Sequence, residues 1–155
     1  MNTINRERVA IHEVGHALIA VLLGRAVTRV QLEPEPHTSL KRKRILPKGR
    51  PKTASERAVL EGELMLAVAG IAAERVMQVE DRQSVVGALD DLQKASRLAL
   101  QIAGAARAEA TVAHCLATTE RMLRRRSETL GNAVVALMER GALNADDVAT
   151  LIPRQ

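Results

Sequence analysis

The chain has 155 residues, 46% of them apolar, and a formal net charge of +5. That length suffices for one domain with a real hydrophobic core and no staples. Because Phe, Tyr and Trp are absent, the core must be aliphatic, and no residue is present to build a base-stacking platform for nucleic acid. The single cysteine, Cys115, excludes an internal disulfide and fits a reducing compartment. His114 precedes it, but sequence neighbours on a helix do not face each other, so a small buried apolar role is expected rather than a catalytic thiol. Residues 1–8 are polar and lack signal-peptide architecture, and the apolar stretch Val14 to Gly24 contains His16 and is too short to span a bilayer. The expectation is a cytoplasmic protein without a membrane segment.

The first predicted helix runs from about Asn5 to Leu23, with Val9, His12, His16, Ile19 and Leu23 at helical spacing and Gly24 as its stop. Within it lies His12-Glu13-Val14-Gly15-His16, an H-E-x-x-H. Residues four apart share a helix face, so both imidazoles can address one metal ion, while Glu13 can reach a water on that metal. This is the minimum equipment for zinc-assisted peptide hydrolysis. Gly15 has a packing reason: it lets another element approach the helix closely.

From Val27 to Glu33 the period changes, Val30 and Leu32 alternating with Arg29 and Gln31 as in a half-exposed strand that Pro34 and Pro36 end. A second short strand is expected from Ser39 to Leu46, closed by Pro47 and Gly49. Lys41, Arg42, Lys43, Arg44, Lys48, Arg50 and Lys52 form a basic stretch without an acid among them. It reads as a solvated loop; phosphate contact there would give only salt-sensitive binding without sequence specificity.

Thr53 with Glu56 is a capping-box signature that opens a long helix through Leu60, Leu64, Ala67, Val68, Ile71 and Ala72 to about Met77. A polar connection from Gln78 to about Gly87 follows. Asp90 or Asp91 then starts a helix with Leu92, Ala95, Ala99 and Ile102 on one face. A helical block covers roughly Glu109 to Arg140, broken near Ser127; Gly141 ends it, and Asn144 caps a short helix through Leu151. The fold class expected is mainly α (α+β), helical with a small β-sheet next to the H-E-x-x-H helix.

Catalytic zinc takes three protein ligands and keeps a position for water. His12 and His16 supply two. For the third, spacing leaves open His37, expected in a surface loop, His114, and the carboxylates, among which Glu74 and the Asp90–Asp91 pair stand out on amphipathic helices.

Four stretches together resemble the peptidase domain of the FtsH-type ATP-dependent zinc metalloproteases. Ala10 to Leu18 is similar to that family's active-site helix, and Ala67-Val68-Ala69-Gly70-Ile71-Ala72-Ala73-Glu74 to its small-residue helix ending in Ala-Glu. Gly87-Ala88-Leu89-Asp90-Asp91-Leu92 with Ala95 resembles its Gly-Ala-x-x-Asp-Leu-x-x-Ala motif, and Leu130 to Leu151 its closing helices. The resemblance implies a single peptidase domain over 1–155 holding one zinc ion through His12, His16 and Asp91, with Glu13 as catalytic base. Asp90 would then lie outside the ligand set or act as an acceptor beside it, and Glu74 is the runner-up ligand, with a helix-surface or supporting carboxylate as its expected role. The resemblance also makes Val27 to Glu33 the substrate-side strand, to whose edge an extended polypeptide could add.

Against that family's pattern, only eleven residues precede His12, no G-x-x-x-x-G-K-[ST] phosphate loop occurs, the region after the Asp91 helix is shortened, and Ser39 to Arg44 is more basic. The function expected is a zinc metalloendopeptidase acting on flexible polypeptides, alone or beside a separate AAA+ ATPase, with homo-oligomer formation left open. Two alternatives stand beside it: a catalytically silent, metal-stabilised peptide-binding module, and a basic helical protein associated with nucleic acid.

Overall fold

The computed structural model describes residues 3–79 and 87–154. Among these residues are six helices and a three-stranded antiparallel sheet. The order is α1 (Thr3–Leu22), β1 (Val27–Gln31), β2 (His37–Leu40), α2 (Ala54–Val76), α3 (Ala88–Ala103), α4 (Ala108–Arg124), α5 (Ser127–Arg140), β3 (Ala142–Asn144) and α6 (Ala145–Leu151); a 3-10 turn, Ala105–Arg107, joins α3 to α4. The mainly α (α+β) class expected from the sequence is what the chain forms. No helix among the described residues is long and apolar enough to cross a membrane.

α1 lies between α2, α5 and the sheet, which explains why its apolar positions are buried nearly all round: Val9, Ala10, Ile11, Val14, Ala17, Leu18, Ile19 and Ala20 are all inside. One buried cluster joins α1 to β1, α5, β3 and α6. A second joins Leu60, Leu64, Ala67 and Val68 of α2 to Ala95, Leu98, Ala99 and Ile102 of α3 and Cys115 of α4. α2 faces both clusters, its Ala69, Ala72 and Ala73 turned toward α1.

Gly15 and the small residues of α2 set the closeness of that contact. A Cβ built on Gly15 would stand 2.6 Å from the Ala73 Cβ and 2.7 Å from the Ala69 carbonyl oxygen. The packing reason expected for Gly15 is therefore present.

The sheet departs from expectation in three ways. β2 occupies His37–Leu40 instead of Ser39 to Leu46, because pairing with β1 ends where Val27 meets Leu40 and the Lys41 N–H turns to the Ala26 carbonyl. His37 consequently begins a strand, not a loop, although it remains exposed. β3, a strand of three residues that was not expected, follows Gly141 and pairs Leu143 with Val30. β1 is thus the central strand with both edges occupied, and among the described residues the sheet's edges belong to β2 and β3, correcting the assignment of an edge role to Val27–Glu33. An irregularity in the β1–β2 register between Val27 and Arg29 lets Val27 and Val30, three apart, both face the core.

The helix signals fare better. The Thr53 side chain accepts the Glu56 N–H at 3.1 Å, although the Glu56 carboxylate reaches back to the N–H of Lys52 and not to that of Thr53. Asn144 and Asp147 form a full reciprocal box at the start of α6. The break near Ser127 lies between α4 and α5, and α3 starts at Ala88, a little before the Asp90–Asp91 pair. Most of the polar connection expected from Gln78 to Gly87, residues 80–86, lies outside the described residues.

Candidate metal centre

Arg8, His12 and His16 follow one another at intervals of four along one face of α1. On that face the structure brings His12, His16 and Asp91 together, their potential ligand atoms all within 4.8 Å of one another. Asp91 comes from the first turn of α3. Its Oδ2 stands 3.0 Å from His12 Nε2 and 3.2 Å from His16 Nε2, and the two Nε2 atoms are 3.2 Å apart.

The opposite nitrogen of each ring is already committed. His12 Nδ1 lies 2.7 Å from Glu74 Oε1, and His16 Nδ1 lies 2.9 Å from the Leu66 carbonyl oxygen. Both partners accept, so both Nδ1 atoms carry hydrogen. That leaves the two Nε2 positions aimed at an aspartate oxygen, a set of two nitrogens and one oxygen with lone pairs converging on one point. A divalent cation fits such donors, and two imidazoles with a carboxylate is a donor set that suits zinc.

A proton shared among these groups is strongly held. Burial opposes a charged His12, but its hydrogen bonds to Asp91 and Glu74 outweigh burial and raise its pKa to about 9. Contacts with His12 and His16 overcome desolvation at Asp91, contacts with His12 and Arg8 overcome it at Glu74, and both carboxyls are held below their ordinary range.

Support behind the cluster comes from α1 and α2. Glu74 Oε2 accepts from Arg8 Nε at 2.7 Å, which fixes the carboxylate that orients His12. Glu74 therefore stands behind the His12 ring and outside the converging set. Gly70 is what allows the ring to lie against α2, since a Cβ there would stand only 2.4–2.5 Å from three atoms of the imidazole.

Glu13, 6% exposed, points into the same cleft. Thr38 on β2 donates its hydroxyl to both the carbonyl oxygen and Oε2 of Glu13, each at 2.9 Å. The cleft, about 390 Å³, runs between α1, β2 and the start of α3 and is lined also by Leu40, Leu66, Asp90 and Lys94. Asp90 is exposed and is not one of the converging groups. His37 touches the cleft rim but hydrogen-bonds the Glu35 carbonyl, and His114 is exposed on α4. Sequence reasoning did not foresee Arg8, Thr38 or the role of Gly70. Arg8 was in principle legible, four residues before His12 on the same face, whereas nothing local marks Thr38.

A family model for peptidase family M41, the FtsH-type peptidase domain, matches residues 1–106, from α1 into the turn after α3. The matched span contains His12, Glu13, His16, Glu74 and Asp91, and α4 to α6 lie beyond it. No curated protein matches the chain. The chain belongs to peptidase family M41, a family of zinc metalloproteases.

Proposed function

We propose that this chain is a zinc metalloendopeptidase that hydrolyses peptide bonds in flexible polypeptides, with His12, His16 and Asp91 holding one zinc ion and Glu13 acting as general base. The observation that carries the reading is the convergence of two Nε2 atoms and Oδ2 of Asp91, with both Nδ1 atoms tied to acceptors behind them. A zinc ion held there supplies Lewis acidity, making water deprotonable near neutral pH and polarising a peptide carbonyl.

The chain's own groups do the rest. Thr38 holds one oxygen of Glu13 and leaves Oε1 to take up a proton from water and return it to the departing amine. Glu74 and the Leu66 carbonyl keep each imidazole in the tautomer that presents Nε2. The cleft is lined in part by β2, an edge strand, which suits an extended chain more than a folded domain. Folded proteins would therefore need unfolding first, a task for a separate AAA+ ATPase. A cytoplasmic setting agrees with the single buried thiol.

The deciding experiment is cleavage of an unfolded protein by the zinc-loaded chain without nucleotide, beside Glu13→Gln. Cleavage by the parent and a loss of about 10²-fold or more in the variant are expected. Zinc bound by both proteins with neither cleaving would instead overturn the self-sufficient peptidase, leaving a partner-dependent enzyme or the metal-stabilised binding module.

A further inference from the structure

The cleft at Glu13 does not end at β2. A second cavity of about 570 Å³ shares Thr38, Leu40, Leu66 and Lys94 with it, so the two form one trough. Arg25, Arg42, Lys43, Arg44 and Lys94 line this extension against a single acid, Glu63. Glu63 is buried and already engaged by Arg25 and, at 3.6 Å, by Lys94. Arg42, Lys43 and Arg44 are exposed, and among the described residues no carboxylate pairs with any of them.

The loop that carries these cations is anchored. The Lys41 N–H donates to Ala26, and Arg25 donates to the Arg42 carbonyl at 2.9 Å. Further along, Gln101 of α3 holds the carbonyls of Pro47 and Gly49 at 2.6 and 2.8 Å. Three unpaired cations are thus presented at a set place beside the cleft. Thr38 marks the position of Glu13, and Arg42 follows it by four residues. At roughly 3.3 Å per residue, an extended chain laid along β2 and past its end meets these charges about 13–20 Å from the reacting bond.

Resting on the peptidase reading, we propose that this trough selects polypeptides carrying acidic side chains about four to six residues to one side of the scissile bond, read by Arg42, Lys43 and Arg44. The site lies where the walls of the cleft continue and where β2 offers its open edge, an arrangement made for an extended chain. Nucleic acid would meet the same charges, but the chain has no aromatic side chain on which a base could stack.

The test uses two labelled peptides of equal length, one with a cluster of Asp and Glu and one with Asn and Gln in their place. Binding is read by fluorescence anisotropy on zinc-loaded Glu13→Gln, which needs no turnover, and kcat/KM on the parent. The acidic peptide should bind about tenfold tighter at low salt, as three partly exposed ion pairs allow. High salt should erase the difference. In the triple variant R42Q/K43Q/R44Q the ratio should fall to near one, whereas Lys48→Gln, outside the trough, should keep it. Moving the acidic cluster to the other side of the cleaved bond should also lose it. Equal affinity for the two peptides would overturn the proposal, as would an oligonucleotide that binds more tightly and displaces the acidic peptide. Selective, salt-sensitive binding without cleavage of either peptide by the parent would instead overturn the hydrolase reading and uphold the acidic-peptide site.

Discussion

His12 is held from both sides of its ring, by Glu74 at Nδ1 and by the Asp91 cluster at Nε2, and the two contacts do different work. A ligand's outer hydrogen bond sets its tautomer and raises its basicity, so it acts on metal affinity without touching the metal. Glu74→Gln keeps the shape and one acceptor oxygen but removes the charge that Arg8 and His12 share. Zinc affinity, measured by competition with a chelator, should fall 10- to 100-fold. An unchanged affinity would mean that Glu74 serves only to neutralise Arg8.

Packing between elements explains why such side chains can meet at all. α1 and α2 approach so closely because Gly15 faces Ala69 and Ala73, and the site's second histidine is the next residue along. Gly15→Ala should cost about 1–3 kcal/mol, read as a lowered denaturation midpoint, since neither the Ala69 backbone nor a Cβ can yield cheaply. The contact between α4 and α2 gives a second, pH-dependent expectation. Burial raises the Cys115 thiol from 9.0 to about 11, aided by Glu61 and opposed by Arg57. The neutral thiol is therefore favoured in the fold, its contribution is intact below pH 9, and stability falls between about pH 9 and 11 as the unfolded chain ionises first. Thiol reagent at pH 8 should modify the native chain far more slowly than the chain in denaturant, and equal rates would refute the buried thiol. The limits of sequence reading lie at this same scale. His12, Glu13 and His16 were legible because their geometry is local to one helix, as were the Thr53 and Asn144 caps and the break at Ser127. Asp91 comes from α3, 79 residues from His12, and no spacing rule connects them; only the likeness to a family pointed there. β3 is too short to carry a period, and without it β1 looked like an edge.

Across the whole molecule, the candidate metal centre sits on a seam. His12 and His16 belong to α1, which packs in the cluster with β1, α5 and α6, whereas Asp91 belongs to α3, whose Ala88 touches that cluster but whose Ala95, Leu98, Ala99 and Ile102 pack with α2 and α4 in the other. α2 spans both clusters, but α1 and α3 have little else that joins them directly. A cation bound by His12, His16 and Asp91 would therefore tie two halves of the core together, and removing it should loosen one relative to the other. By mass action, zinc at 1,000 times its dissociation constant should stabilise the fold by about 4 kcal/mol. The more telling expectation concerns where that stability appears. Hydrogen exchange after chelation should quicken most in the first turns of α3 and on the His-bearing face of α1, while α5 and α6, packed away from the seam, keep their protection. Equal quickening everywhere would mean that the two clusters unfold as one unit. No change at α3 would mean that Asp91 does not take part in holding the ion.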